Sequence, residues 1–132
     1  MEGNFVRKMS GGRVGETIMV FAEDRGRYVG MVSAVIPEGQ TKATIQHMYV
    51  DREGYRGKGI GKQLLVSLLG ELRGRGDLES VELSVVETQI PARELYKQLG
   101  FRQVNLIESG AKRGDAVYNE VEMVLDIQPA SP

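Results

Sequence analysis

The chain has 132 residues, a formal net charge of −1 at pH 7, one histidine and no cysteine. This length predicts a single domain over residues 1–132 with one ordinary core. The absence of cysteine excludes disulfides, thiolate metal sites and an acyl-cysteine intermediate, and a lone histidine excludes a multi-histidine metal site. The nearly balanced charge favours neither nucleic acid nor an anionic membrane as a partner. No apolar run approaches the ~20 residues that span a bilayer, and no secretory signal is evident, so we expect a cytoplasmic protein without a metal.

The first half of the chain predicts three strands. Residues 1–16 are glycine-rich and weakly patterned, so we expect an irregular segment there. Strands are predicted at 17–23 and 28–36, joined by a turn at Arg25-Gly26, and a third strand is predicted at 43–50. These three strands are expected to form an antiparallel meander.

The stretch after the third strand is the most informative part of the sequence. Gly57, Gly59 and Gly61 stand close together, and an amphipathic helix begins near Ile60. Glycine lets the backbone approach a ligand closely, and the first N–H groups of a helix lack intrahelical partners and favour negative charge. The basic residues around the loop are Arg52, Arg56, Lys58 and Lys62. The pattern therefore predicts a site for a phosphate or pyrophosphate.

Two familiar phosphate-binding motifs fail on this loop. A Walker loop that ends on Gly61-Lys62 would need glycine where Arg56 stands and a hydroxyl side chain where Gln63 stands. A dinucleotide-binding fingerprint fails in both registers, because its third glycine would fall on Lys62 or on Leu64. The pattern that fits is Arg-x-x-Gly-x-Gly, which begins at Arg56.

The second half predicts two helices and at least two strands. The first helix ends at Gly74-Arg75-Gly76, a strand follows at 80–86, and a second helix carries Pro91 in its first turn and stops at Gly100. The remaining predictions are a short strand that starts within 101–104, a polar loop at 107–115, a last strand at 117–127 and a flexible tail at 128–132. The order β-β-β-α-β-α-β predicts a mixed α/β sheet, in which residues 43–86 form a right-handed crossover and helices lie on the sheet faces.

Two motifs resemble the GCN5-related N-acetyltransferase (GNAT) family. The first is the strand, glycine loop and helix from Ile45 to Leu72, with Arg-x-x-Gly-x-Gly at its centre. The second runs from Gln89 to Phe101 and has an Ala-x-x-Leu-Tyr-x-x-x-Gly-Phe core that starts at Ala92. The likeness covers residues ~17–127, which is most of the chain. It implies a GNAT-like mixed sheet, an acetyl-CoA cosubstrate and transfer of the acetyl group to a primary amine.

The resemblance also implies a role for individual residues. Main-chain groups of the glycine loop would bind the pyrophosphate of CoA, and those of the third strand would bind the pantetheine. That strand is expected to be bulged and to splay from its neighbour, with a main-chain N–H near Met48 polarising the thioester carbonyl. Tyr96 matches the tyrosine that protonates the leaving thiolate. The implied cofactor contacts are Met48, Val50, Arg56, Gly57, Lys58, Gly59, Ile60, Gly61, Lys62 and Gln89.

The sequence departs from the family pattern in three places. Gln89 stands where the second motif usually has asparagine, and Ser84 stands where some relatives carry a glutamate base. Only residues 1–16 precede the first predicted hairpin, where the family has a strand and two helices that wall the acceptor site. We therefore expect that the chain is a fragment, that its numbering starts late, or that it is a minimal variant of the family. An exposed core edge or a homodimer is expected to follow.

The sequence is also consistent with other functions and with other roles for individual residues. A CoA-binding or sensing module without transfer activity is the main alternative, and a nucleotide-binding protein would predict affinity for ATP. His47 is a candidate general base, and Glu87 could relay protons through water, although either residue could also be structural or simply exposed. The acceptor is expected to be a small-molecule or peptide amine, but its identity is not encoded in any recognisable motif.

Overall fold

We describe the protein from a computed structural model that defines residues 4–12, 15–51, 57 and 59–127, with residues 4–12 described for their backbone alone. Arg52, Arg56, Lys58 and the predicted tail at 128–132 lie outside the described residues. The described elements are β1 (Asn4–Gly12), β2 (Gly15–Asp24), β3 (Arg27–Pro37), β4 (Lys42–Val50), α1 (Ile60–Arg75), β5 (Ser80–Val86), α2 (Ile90–Gln98), β6 (Arg102–Arg113) and β7 (Ala116–Asp126). No helix among these residues is both long and apolar enough to cross a membrane.

All the described strands belong to one mixed sheet in the order β1-β2-β3-β4-β5-β7-β6. Strands β1 to β4 form an antiparallel meander, β4 and β5 are parallel, and β7 is antiparallel to both β5 and β6. Helix α1 supplies the crossover between β4 and β5. The predicted mixed sheet, with its meander and its βαβ unit, is confirmed.

Both helices pack on the same face of the sheet, which we call the helix face. Helix α1 packs against β2, β3 and β4, and a Cβ built at Gly30 of β3 would lie 3.2 Å from Leu64 Cδ1. Just after α2, a Cβ at Gly100 would lie 3.0 Å from Leu125 Cδ1 of β7. Residues directly opposite each other on paired strands point to the same face. The pairs that carry the helix face across the sheet are Ala34–Ile45, Ala43–Val81 and Val81–Leu125.

The core lies between this face and the helices. Helix α1 contributes fully buried side chains at spacings of four and one, and each such leucine stabilises the fold by ~1.5–3 kcal/mol relative to an exposed one. The helix ends at Gly76, which adopts the left-handed conformation with φ 77°. The buried residues of α1 are Ile60, Leu64, Leu65, Leu68, Leu69 and Leu72.

No helix of the described chain covers the opposite face of the sheet, which we call the bare face. Residues 4–12 and 15–51 form strands and turns ahead of α1, so the expected shortage of N-terminal helices is confirmed for these residues. Phe21, Met31 and Val35 point to the bare face and are half-buried. The Phe21 ring stacks on that of Tyr28 with 4.6 Å between their centroids.

Two predictions of irregular structure were wrong. Residues 4–12 form β1, which pairs with β2 along its whole length, so the segment 1–16 is not irregular there. The predicted polar loop at 107–115 falls largely within β6, which runs to Arg113. Strand β6 shows no alternation of apolar and polar residues because nearly all of its side chains are exposed on both faces. Its partner strand supplies the main-chain hydrogen bonds that define it.

Candidate active site

The candidate active site is the gap that opens between β4 and β5. These strands pair only from Lys42 with Ser80 to Thr44 with Glu82. Strand β4 then stays paired with β3 up to Val50, while β5 stays paired with β7 up to Val86. The sheet therefore splits into a V, and a cleft of about 730 Å³ occupies it.

A bulge in β4 decides which groups face the gap. Ser33 pairs with His47 but Ala34 pairs with Ile45, so Gln46 is the extra residue. Before the bulge, the side chains of Ala43 and Ile45 point to the helix face. The extra residue offsets the alternation by one, so after the bulge the side chains of Met48 and Val50 point to that face. A Cβ at Gly61 would lie 3.6 Å from Met48 Cε and 4.0 Å from Val50 Cγ2, which places both side chains beside the start of α1.

The main chain of β4 presents an unpaired edge to the gap. The N–H of Asp51 donates to the carbonyl oxygen of Val29 on β3 at 2.8 Å. Main-chain groups of an antiparallel strand alternate in direction, so those of Met48 and Val50 point away from β3 and towards the gap. Asp51 also pairs with Arg27 at 3.0 Å and accepts a hydrogen bond from the Tyr49 hydroxyl. These contacts hold the end of β4 on the β3 side and keep the gap open.

The described glycines lie where the cleft meets α1. Gly57 and Gly59 have φ angles of 79° and 78°, a backbone conformation that strongly favours glycine. Gly59 is the N-cap of α1 and has no side chain that could make a capping hydrogen bond. The first turn of the helix carries no acidic residue. Within the described residues, no side chain is shown to cap the first N–H groups of α1, and such groups favour an anion. Lys62 lies exposed in that first turn and is not part of the cleft wall.

Tyr96 lies on the inward side of α2 and lines the cleft. The residue is 8% exposed, and its ring meets that of Phe101 edge-on with 5.9 Å between the centroids. Burial raises the pKa of the Tyr96 hydroxyl above its ordinary value. Among the described residues this hydroxyl has no hydrogen-bond partner, and it is not completely buried. It is therefore accessible from the cleft that Tyr96 lines. A protonated hydroxyl in this position is suited to donate a proton.

The bare-face side of the cleft has different chemistry. His47 lies exposed on this side, and its Nδ1 is 3.3 Å from the Oγ of buried Ser33. Ser84 faces the same side from β5, and Arg113 and Glu120 reach it from β6 and β7. The cleft thus joins two halves, one on the helix face and one on the bare face; the names cofactor half and acceptor half express the roles that we propose for them.

The sequence matches the family profile described as Acetyltransferase (GNAT) family over residues 6–101. The chain belongs to the GNAT family. The N-acetylaspartate synthetase of Xenopus tropicalis is 36% identical over 83 residues, which cover 63% of this chain but only 30% of that relative. The family resemblance found in the two sequence motifs is confirmed.

Solved structures show the same fold. The ribosomal-protein-S18-alanine N-acetyltransferase of Escherichia coli superposes with a TM-score of 0.80 at 23% identity, covering 91% of this chain and 74% of that one. NAA60 of Arabidopsis thaliana in complex with acetyl-CoA superposes with a TM-score of 0.75 at 24% identity, covering 86% and 77%. At these identities the likeness establishes the GNAT fold and leaves the acceptor open.

The structure brings most of the GNAT residues predicted from the sequence to one cleft. Gln89 is the N-cap of α2, its side chain makes no capping hydrogen bond, and it lines the cleft. Glu87 lies outside the cleft wall, where its Oε1 accepts from Asn119 Nδ2 at 3.4 Å and its carbonyl oxygen accepts from Arg93 at 2.9 Å. The other predicted residues that line the cleft are Met48, Val50, Gly57, Gly59, Ile60, Gly61 and Tyr96.

Residues of β6 and β7 line the bare-face side of the cleft, where no site residue was expected from either strand. Arg113 falls within the polar loop predicted at 107–115, whereas it is the last residue of β6 and lines the cleft. Glu120 was not singled out. The signal was present in the alternation of Glu120 and Glu122 with Val121 and Met123, which predicts that the two glutamates share a sheet face.

Proposed function

We propose that this chain transfers the acetyl group of acetyl-CoA directly to a primary amine while both substrates are bound. The observation that carries the proposal is the gap between β4 and β5, because it connects the helix face to the bare face through the sheet. Acetyl-CoA can lie on the helix face and the acceptor on the bare face, so that their reactive atoms meet within the V. No covalent enzyme intermediate is then required.

The helix face fits the pyrophosphate and pantetheine of acetyl-CoA. The uncapped first turn of α1 offers N–H groups to the pyrophosphate, and the left-handed Gly57 and Gly59 leave the space beside it open. The unpaired edge of β4 offers main-chain groups of Met48 and Val50 to the amide groups of the pantetheine. A main-chain N–H at Met48 would also stabilise the negative charge that develops on the thioester oxygen.

The transfer requires proton movements on both sides of the gap. The amine nitrogen attacks the thioester carbonyl carbon, the C–S bond breaks, and the thiolate takes a proton for which Tyr96 is the donor. An acceptor that arrives as an ammonium ion loses two protons overall, one balanced by the thiolate and one released to solvent. His47, held beside Ser33 on the bare face, is placed to receive the proton from the ammonium ion.

Calorimetric titration with acetyl-CoA tests the cofactor half, with CoA, ATP and NAD as comparison ligands. The parent should bind acetyl-CoA and CoA, and Gly59→Glu should abolish this binding because it puts a side chain on left-handed backbone and a negative charge at the helix N-terminus. Gly70→Glu is the matched control, since Gly70 is exposed within α1 and a Cβ there meets nothing within 4 Å. A parent that prefers ATP, or a Gly59→Glu variant that binds like the parent, would contradict the proposed site.

An amine screen then separates transfer from binding alone. The names of two similar proteins suggest the first acceptors, an alanine amine of a peptide and aspartate. Release of free CoA that depends on an added amine supports an acetyltransferase. Tight binding of acetyl-CoA without turnover of any amine would support the alternative of a CoA-binding or sensing module, which the serine at position 84 favours.

A further inference from the structure

Glu120 presents a carboxylate to the acceptor half of the cleft. On β7, Val121, Met123 and Leu125 are buried towards the helix face, so Glu120 and Glu122 point to the bare face. Glu120 pairs with Val86 at the end of β5 and lines the cleft, whereas Glu122 does not. Strand β7 thus places one glutamate at the open V and a second one just outside it.

The Glu120 carboxylate differs from nearby glutamates because it has no partner within the described part of the chain. Glu122 accepts a hydrogen bond from Asn105 Nδ2 at 2.9 Å, and Glu82 accepts one from Thr44 at 3.2 Å. Glu120 has neither a hydrogen bond nor an ion pair among the described residues, although it is half-buried. A partly desolvated carboxylate without a partner gains from binding a cation.

A bulge in β6 makes room for this carboxylate. The register of β6 against β7 shifts between Ile107 and Ala111, and Ser109 N–H donates to Asn119 Oδ1 at 3.0 Å within the shifted segment. A Cβ at Gly110 would lie 3.0 Å from Glu120 Oε1 and 3.3 Å from its Cγ. Glycine at position 110 therefore lets the Glu120 side chain lie against the strand and reach the cleft.

We propose that Glu120 binds the cationic amine of the acceptor and holds it beside the gap. This inference rests on the proposed acetyl transfer to an amine. Ser84 leaves the neighbouring position on β5 without a carboxylate, so Glu120 supplies the negative charge from β7 instead. Arg113, the basic side chain on the same wall, is exposed at the end of β6 and is better screened by solvent. The site should therefore prefer a monocationic amine, such as a peptide α-amine, to aspartate with its two carboxylates.

Steady-state kinetics at saturating acetyl-CoA tests this assignment with two probes, a tetrapeptide that begins with alanine and free L-aspartate. Glu120→Gln should raise KM for the tetrapeptide by about tenfold to a hundredfold, the range for a charged hydrogen bond, with little change in kcat or in KM for acetyl-CoA. Glu122→Gln is the matched control and should stay within about twofold of the parent.

Gly110→Ala provides a second variant that keeps the charge. The backbone at Gly110 is not left-handed, so alanine causes no backbone strain there, but its methyl group crowds the Glu120 carboxylate and the Ile107 side chain, each at 3.0 Å. It should raise KM for the tetrapeptide by less than Glu120→Gln does, and the two effects should not add. An unchanged KM in Glu120→Gln overturns the inference and leaves the acetyltransferase proposal standing. A parent that prefers aspartate to the tetrapeptide likewise overturns the inference and leaves the acetyltransferase proposal standing. A parent that acetylates no amine overturns both.

Discussion

The two halves of the cleft differ in the kind of group that each offers a ligand. The cofactor half presents main-chain groups, namely the uncapped first turn of α1 and the unpaired edge of β4 at Met48 and Val50. The acceptor half presents side chains that alternate along three strands, among them His47, Ser84 and Glu120. Under the proposed function, changes of side chain on the bare face can alter the acceptor while the backbone proposed to bind CoA stays the same.

The same difference predicts that the cofactor half depends on the backbone conformation of its glycines, whereas the acceptor half depends on its charged side chains. A main-chain site needs backbone conformations such as those of Gly57 and Gly59, and few other residues adopt them without strain. A side-chain site needs only a strand in the right register, so its chemistry can move from one strand to the next.

The largest effect on activity is expected for Tyr96→Phe, which removes the proposed proton donor of the cofactor half and keeps the aromatic ring that packs there. Proton donation of this kind typically contributes about 10²–10⁴-fold, so kcat should fall by that order while acetyl-CoA binding persists. Tyr118→Phe is the matched control, because Tyr118 is half-buried on β7 and does not line the cleft. Equal kcat values for Tyr96→Phe and the parent would remove Tyr96 from the mechanism.

The pH profile sharpens the same prediction. Burial raises the pKa of the Tyr96 hydroxyl above the ordinary value of 10.0, so the hydroxyl stays protonated through neutral and mildly alkaline pH. The midpoint for loss of the acid form should therefore lie above pH 10 in the parent. A kcat profile of the parent from pH 6 upwards checks this, and an alkaline limb near neutral pH must come from another group.

Core packing provides the next comparison, between the helix face and the bare face. Leu68→Ala removes a fully buried side chain of α1 and should lower the free energy of unfolding by about 2–5 kcal/mol. Val35→Ala, on the half-buried bare face, should cost about 1 kcal/mol or less. Urea unfolding of both variants measures the difference. A Val35→Ala cost as large as that of Leu68→Ala would show that the bare face is covered in solution.

The sequence was sufficient for the elements that local chemistry defines. The leucine spacing of α1, the glycines at its two ends and the proline in the first turn of α2 all act through neighbours in the chain, and each appears where it was predicted. Lys62 shows the limit of this reasoning. It belongs to the basic cluster in sequence, but it lies two positions beyond buried Ile60, and the helical turn therefore carries it to the exposed side.

The features that the sequence did not reveal depend on pairing between distant residues. A bulge in β4 was expected from the family resemblance, but its place at Gln46 is set only by the pairing with β3, and the position of Glu120 depends on the register of β7 against β5 and β6. Strand β6 is exposed on both faces, so no hydrophobic alternation marks it. These are the elements that build the acceptor half, which is why the cofactor half was the easier one to predict.

The smallest expected effect concerns the end of α1 opposite the glycine loop. Arg75 donates to Glu16 of β2 at 2.8 and 3.0 Å and to Asp77 at 3.2 Å, and this contact lowers the pKa of Glu16 and raises that of Arg75. A carboxyl group with a lowered pKa in the folded state stabilises the fold at neutral pH and loses that contribution as the pH falls through its folded-state pKa. Arg75→Gln should therefore reduce stability slightly at pH 7 and make no difference in strong acid, where Glu16 is protonated.

Arg73→Gln, an exposed neighbour in the same last turn, is the matched control for helix propensity and dipole. Urea unfolding at the two pH values measures both variants, and a loss in Arg75→Gln that persists unchanged in acid would show that packing of the arginine stem, rather than its charge, holds α1 to β2.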